Sequence, residues 1–274
     1  VFDGAFATPS WLRNGVMMQI MVDRFHASRE PDVNNLPAGS FYHVHWDEDP
    51  VLVINDRTGD YCANDFFGGD LKGIEQKLDY IAGLGVTVIY LNPIFQARSN
   101  HKYDTGDYKR IDPAFGTEQD FRDLCAAAKQ RGIRVILDGV FSHTGADSVY
   151  FNRSGAYGSG GAYNDPASPY APWYTFKHWP NDYESWWGIQ TLPTVDKDDP
   201  AYRRFIISDP DSVIAHWQRA GASGWRLDVA DELPMDFIQD IRRREKAIDP
   251  EAALIGEVWE DPSNKVAYGK LRCY

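Results

Sequence analysis

The chain has 274 residues, 43% hydrophobic and 14% aromatic, with 40 acidic against 28 basic side chains. That length suits one large α/β domain, or a main domain with an insertion, and no apolar run approaches the roughly 20 residues that a membrane span needs. A formal charge of −12 argues against a partner held mainly through phosphates, because nucleic-acid affinity rests on Lys and Arg displacing counterions; a neutral or small-molecule ligand fits better.

Cys62, Cys125 and Cys273 are far apart and lack metal-type spacing, so they read as free thiols. Val1 to Pro9 lacks the basic patch and apolar core of a secretory signal. The expectation is a cytoplasmic protein, with secretion the alternative if a leader has been removed.

Along the chain, Val16 to Val22 is an apolar run closed by Asp23 and Arg24, which predicts a first buried strand. Ala27 to Phe67 is polar and turn-rich and predicts a long loop. Leu71, Ile74, Leu78 and Ile81 recur at helical spacing until Gly83 and Gly85. Val86 to Leu91 predicts the second strand, Phe121 to Ala128 the next helix, and Ile133 to Leu137 the third strand, reaching Asp138. After Gly145 the pattern dissolves into about forty residues rich in Gly, Tyr, Pro and Trp, which predicts an inserted subdomain. Regular order resumes with a helix starting at Ser208-Asp209-Pro210. Gly224 to Asp228 gives a strand, Pro234 to Glu245 a helix, and Ala252 to Val258 a further strand.

Such alternation implies a mainly parallel sheet with right-handed crossovers, either open and doubly wound or part of a (β/α)8 barrel. No Gly-x-Gly-x-x-Gly follows the first strand and no Gly-Lys-Ser/Thr phosphate loop occurs, which favours the barrel. In either architecture the active site lies at the carboxyl ends of strands, which directs attention to Asn92, Asp138, Asp228 and Glu257.

Residues two apart on a strand share a face, so Arg226 lies beside Asp228, and an adjacent guanidinium favours the ionised carboxylate that a nucleophile needs. Glu257 is followed by Val258 and Trp259; an acid among apolar groups tends to keep its proton, as a general acid must. Two carboxyls with opposite leanings on neighbouring strand ends suit glycoside hydrolysis. The loops add Tyr103, Tyr108, Tyr163, Tyr170, Trp173, Tyr174, Trp179, Tyr183, Trp186 and Trp187, whose rings suit the C–H faces of sugars unless they are simply core. His43-Val44-His45, without a nearby acid motif, reads as structural rather than metal-binding.

Asp138-Gly139-Val140-Phe141-Ser142-His143, Leu192-Pro193-Thr194-Val195-Asp196, Gly224-Trp225-Arg226-Leu227-Asp228-Val229-Ala230 and Gly256-Glu257-Val258-Trp259 resemble the ordered signatures of α-amylase family glycoside hydrolases. Gln19 to Phe25, Phe66 to Leu71, His101 to Tyr108 and Glu184 to Pro193 are similar to neopullulanase, cyclomaltodextrinase and amylopullulanase catalytic domains. The resemblance implies an α/β fold of the (β/α)8 TIM-barrel type, with about the first five β/α units in this chain. Residues 1–143 would carry strands one to three, 144–195 the inserted domain, and 196–274 strands four and five. The family's His-Asp signature of the seventh strand has no match, and no His follows His216. The expectation is therefore the first part of a catalytic domain from a longer protein.

Carried onto this sequence, the resemblance makes Asp228 the nucleophile and Glu257 the acid/base. Arg226 orients Asp228, Tyr103 stacks on the sugar, His143 bonds its 6-hydroxyl, and Asp138 either contacts substrate or orders Arg226. Trp187 and Trp259 are assigned to substrate. No cofactor is required; Gly69 and Asp70 match a calcium site of neopullulanase-like members, with Asp32, Asn34 and Asn35 as candidate further ligands, but the usual Asn-Gly-Asp start of that site reads Ala27-Ser28-Arg29 here, and a solvated turn is the equal alternative. The implied substrate is an α-1,4 or α-1,6 glucan such as starch, pullulan, cyclodextrin or a maltooligosaccharide. A homodimer of the full-length protein is compatible with the resemblance; a nucleic acid or membrane partner is not expected. The alternative from another class is a non-catalytic or incomplete carbohydrate-binding fragment.

Overall fold

The structure, a computed structural model, describes residues 8–54 and 62–259. Cys273 lies outside the described residues. Five strands form one parallel sheet in sequence order: β1 Met17–Ile20, β2 Val88–Leu91, β3 Arg134–Gly139, β4 Gly224–Leu227 and β5 Ala253–Gly256. This order, with helices between β2, β3, β4 and β5, is that of successive units of a (β/α) barrel.

Strand alternation divides the buried residues into two layers. Ile89, Leu91, Val135, Leu137, Trp225 and Leu227 face the helices and join the main core with Leu124, Ile214, Trp217, Phe237 and Ile241. Val88, Tyr90 and Ile136 face the other way and form a small second core with Trp11, Leu12 and Ile255. Continuing the alternation towards the carboxyl ends puts Asn92, Asp138, Arg226, Asp228 and Glu257 on that second face. The polar residues at the strand ends thus share the inward side of the sheet, above a short apolar plug.

Several boundaries differ from the periodicity. The first strand stops at Ile20, and Val22–Arg24 turns into a 3-10 segment. This turn buries Asp23 so that its carboxylate accepts the Phe67 and Gly68 N–H groups at 3.0 to 3.1 Å, tying the long loop to the strand end. The helix expected over 71–81 breaks at Lys77 into Leu71–Gln76 and Leu78–Gly83. The helix expected at Ser208 begins instead at Val213 and runs to Ala220. Ser212 is the residue that caps it, receiving the Ala215 N–H and donating its hydroxyl to the Ile207 carbonyl at 2.8 Å; the Asp209-Pro210 pair lies in the preceding turn.

Gly224, which opens β4, has φ +152°, and a Cβ there would lie 2.0 Å from the Ala253 carbonyl oxygen. Only glycine lets β4 and β5 approach at this point, which sets the register that aligns Arg226 with both Asp138 and Ile255.

Residues 144–195 leave β3 and return beside it, closing on an antiparallel bridge between His143 and Thr194. Within this stretch the dense aromatics mostly pack against one another. Trp173, Tyr174 and Tyr183 are buried, as is Tyr108 ahead of the stretch, and Phe151 meets Tyr174 and Tyr183 edge-on with ring centroids 4.8 and 4.7 Å apart. The core reading holds for these rings, because an insert with little regular structure buries aromatic area in place of helix faces. Tyr157, Trp179 and Trp187 are the exposed aromatics of this stretch.

Cys125 is buried in the main core and burial pushes its thiol well up, while Cys62 is half-buried; both are free thiols among the described residues. Among the described residues no helix is long and apolar enough to cross a membrane.

Candidate active site

One guanidinium gathers three carboxyl groups. Arg226 Nη1 donates to both oxygens of Asp138, at 2.8 and 2.9 Å, and to Asp228 Oδ1 at 2.9 Å. Its Nη2 lies 2.7 Å from Glu257 Oε2. Each carboxyl comes from a strand end or the residue just beyond it, so the backbone fixes the group: Asp228 N–H donates to the Gly139 carbonyl, and Glu257 N–H to the Leu227 carbonyl. Val229, directly after Asp228, sits at φ 40°, ψ 52°, a left-handed conformation that is rare for a β-branched residue. Its N–H is thereby aimed at Glu257 Oε2, 3.0 Å away. Strain of this kind persists where surrounding structure enforces it, characteristically beside functional groups.

The electrostatics correct the expectation drawn from spacing. Asp228 is 7% exposed, and its pKa is pushed up to about 7. Burial is the largest cause, the Asp138 charge adds to it, and Arg226 opposes both without overcoming them. Proximity of Arg226 alone suggested a lowered value; the guanidinium is shared among three acids and cannot compensate each. Glu257, expected among apolar and aromatic groups, has Arg226 and the Val229 N–H as its partners instead. Asp138 is also shifted upward by burial, against the pull of Arg226 and the hydroxyls of Tyr90 and Tyr103. For Arg226, burial works against the charge, but Asp138 and its other neighbours carry its pKa above the usual value.

A raised carboxyl has a definite linkage sign. The unfolded chain releases the Asp228 proton near the ordinary value of 3.8, whereas the fold keeps it to about 7. Between those values the native state binds more protons, so this residue lowers stability progressively as pH rises through that window.

Tyr103 donates its hydroxyl to Asp138 Oδ2 at 3.0 Å. Its carbonyl engages His143 Nε2 at 3.1 Å, which fixes Nε2 as the N–H and leaves Nδ1 as an acceptor. Nδ1 is buried and has no hydrogen-bond partner among the described residues. Burial pushes the His143 pKa down to about 4, so the ring is neutral at pH 7 and its free nitrogen can accept from a hydroxyl.

Trp186 lies against His143, with ring centroids 5.5 Å apart, and stacks on Trp187 at 5.3 Å. Trp259 meets Trp187 edge-on at 5.4 Å. Trp187 and Trp259 are 68% and 55% exposed, an unusual state for two adjoining indoles. Sequence reasoning missed what orders this platform. Glu232 accepts the Trp186 N–H at 2.8 Å on one oxygen and the Trp187 N–H at 3.0 Å on the other. Its signal was available only as an acid four residues after Asp228. A continuous run therefore leads from the carboxyls through Tyr103 and His143 to exposed aromatic faces.

The residues matched to calcium are engaged elsewhere. Asp70 caps the helix Leu71–Gln76, with Gly73 N–H on Oδ1 and Ser28 N–H and hydroxyl on Oδ2. Asp32 Oδ1 takes the backbone and side-chain N–H groups of Asn34. Asn35 ends the 3-10 turn Val33–Asn35, and Gly69 permits close approach, since a Cβ there would meet the Val22 carbonyl at 2.0 Å. Both carboxylates thus receive N–H and O–H donors, the arrangement of capped turns, which favours the solvated-turn alternative at Asp32 and Asp70. Among the described residues, no group of three or more His, Cys, Asp or Glu side chains is placed to hold a metal. His43, buried between Glu48 and Asp65 at 2.9 and 3.1 Å, has a structural place in the long loop.

The family described as "Alpha amylase, catalytic domain" matches residues 19–272. The amylopullulanase of Thermoanaerobacterium saccharolyticum is 43% identical over 96% of this chain and 23% of its own length. Neopullulanase 2 of Thermoactinomyces vulgaris is 35% identical over 94% of this chain and 41% of its own. Among solved structures, the type III pullulan hydrolase from Thermococcus kodakarensis superposes with a TM-score of 0.77 at 34% identity, covering 96% of this chain and 47% of that one. The cyclic alpha-maltosyl-(1-->6)-maltose hydrolase from Arthrobacter globiformis gives 0.78 at 30% identity, covering 94% and 54%. The chain thus spans from about a quarter to about half of these relatives. With its five-stranded parallel sheet and strand-end carboxyl cluster, the chain belongs to the α-amylase catalytic-domain family of glycoside hydrolases.

Proposed function

We propose that the protein carrying this chain is a retaining α-glucoside hydrolase acting on α-1,4 or α-1,6 glucans such as pullulan, starch or cyclodextrins. The observation that carries the reading is the attachment of Asp228 and Glu257 to one guanidinium at neighbouring strand ends. The names of the relatives, amylopullulanase and pullulan hydrolase among them, support the substrate class.

Asp228 attacks the anomeric carbon, the bond to the leaving oxygen breaks, and Glu257 delivers the proton that oxygen needs. Water then gives a proton to Glu257 and displaces Asp228 from the same carbon. Two inversions restore the α-configuration. This requires the proton on Glu257 and the negative charge on Asp228. In the resting geometry Asp228 has the raised pKa and Glu257 faces Arg226, so the active form has Arg226 released from Glu257 and committed to Asp228 and Asp138. Tyr103 and His143 Nδ1 receive the sugar at the cleaved bond, and Trp187 and Trp259 offer ring faces to the glucan beyond it.

The test is the pH dependence of kcat/KM on a maltooligosaccharide and on pullulan. With Asp228 titrating near 7, the acidic limb is expected to begin close to neutrality and to fall about tenfold per pH unit below it. A rate constant flat down to pH 5 would contradict the assignment of Asp228, and absence of turnover on either glucan at any pH would contradict the reading itself.

A further inference from the structure

Tyr90 lies in the middle of the apolar run of β2 and faces the small inward core with Val88 and Ile136. Its ring is only 5% exposed, yet it touches both members of the ion pair at the strand ends. The hydroxyl donates to Asp138 Oδ2, and the ring lies under the Arg226 guanidinium, with Cζ 5.6 Å from its centroid. Gln19 and Ile136 pair with Tyr90 on either side, so its backbone is fixed within the sheet.

We infer that Tyr90 is a positioning residue for the hydrolytic site: its hydroxyl fixes the Asp138 carboxylate from below while its ring supports the guanidinium that Asp138 and Asp228 share. The geometry explains why one donor from the core matters. Asp138 is held by Tyr90 from β2, Tyr103 from the following loop, and Arg226 from β4. Asp228 and Glu257 face the same guanidinium, so they are the remaining titratable groups of the network. Both tyrosines bond the same oxygen, Oδ2. Of the two, Tyr103 is half-buried in a loop, while Tyr90 is anchored in the sheet and fixes that oxygen whether or not sugar is present. Loss of the Tyr90 hydroxyl frees Asp138 to turn, and Arg226 with it. Desolvation and the nearby Asp138 charge hold the Tyr90 proton well above the ordinary phenol range, so it remains a donor at every working pH.

This inference rests on the proposed role of Asp228, and its test separates the two. Tyr90→Phe keeps the ring and removes the hydroxyl alone. Carbon-13 NMR titration of the Asp138 carboxyl in this chain reads positioning without any turnover. Removing a donor to the charged form is expected to move that titration up by about one pH unit. In the active protein, Tyr90→Phe is expected to lower kcat about tenfold with KM for the maltooligosaccharide little changed, and Asp138→Asn should abolish this sensitivity. An unmoved Asp138 titration overturns the inference, as does an equal Tyr90→Phe loss in the Asp138→Asn background. If Tyr90→Phe fails to fold, Tyr90→Leu, which lacks any side-chain donor, is read by the same titration. Failure of the parent protein to hydrolyse glucans leaves the titration result standing and removes only the hydrolytic role.

Discussion

Replacing Asp228 by Asn is expected to lower kcat on a maltooligosaccharide by about four orders of magnitude, because an amide cannot form the glycosyl ester. Glu257→Gln is expected to cost about 10² to 10⁴, the span for a lost general acid. The two separate by leaving group. With α-glucosyl fluoride, whose fluoride needs little protonation, Glu257→Gln should recover much of its first-step rate, whereas Asp228→Asn should recover none. Oligosaccharide binding by either variant should stay within a few-fold of the parent, since Tyr103, His143, Trp187 and Trp259 are untouched. An Asp228→Asn protein retaining a tenth of the parent kcat would place the nucleophile elsewhere.

Arg226→Met is the second large effect, and it falls on stability as well as on rate. Arg226 is the one cation hydrogen-bonded or ion-paired to Asp138, Asp228 and Glu257 among the described residues. Deleting the partner of a buried charge typically costs about 3–5 kcal/mol, because the charge remains without compensation. Asp138 and Asp228, both already shifted upward, respond by holding their protons to still higher pH than in the parent, so the loss should be greatest near pH 8 and shrink towards pH 5 as the native state binds the protons it needs. Urea unfolding of the chain at the two pH values measures this directly. A loss that is equal at pH 5 and pH 8 would mean that packing of the methylenes, rather than charge compensation, is what Arg226 contributes.

Much of the sheet was legible because its strands are short apolar runs ending in polar residues, and the helices between them recur at 3.6-residue spacing. The grouping of Asp138, Arg226, Asp228 and Glu257 followed from the same pattern, since strand ends converge in parallel α/β folds. The charge distribution within the group did not follow. Spacing put Arg226 beside Asp228 and the family resemblance offered Asp138 as a further partner; strand register does bring Asp138 to the same nitrogen, but that β5 brings Glu257 to the other was not legible. Tyr90 was hidden because Val88-Ile89-Tyr90-Leu91 reads as core, and it is core except for one hydroxyl. Glu232 was hidden by distance: its partners Trp186 and Trp187 lie some 45 residues earlier in the chain, in an insert without period. The aromatic density of that insert misled in the opposite direction, since most of its rings fill their own core and only a few face outward.

Chemical trapping of the reaction's intermediate measures the role of Asp228 most directly. A 5-fluoro-α-glucosyl fluoride reacts through its fluoride leaving group but then turns over slowly, because the ring fluorine disfavours the positive charge of the second step. Mass spectrometry of peptides from the protein so treated is predicted to find one glycosyl ester, on Asp228. An ester on Glu257 or any other residue, or steady release of β-configured sugar with no ester at all, would contradict the double displacement assigned to this site.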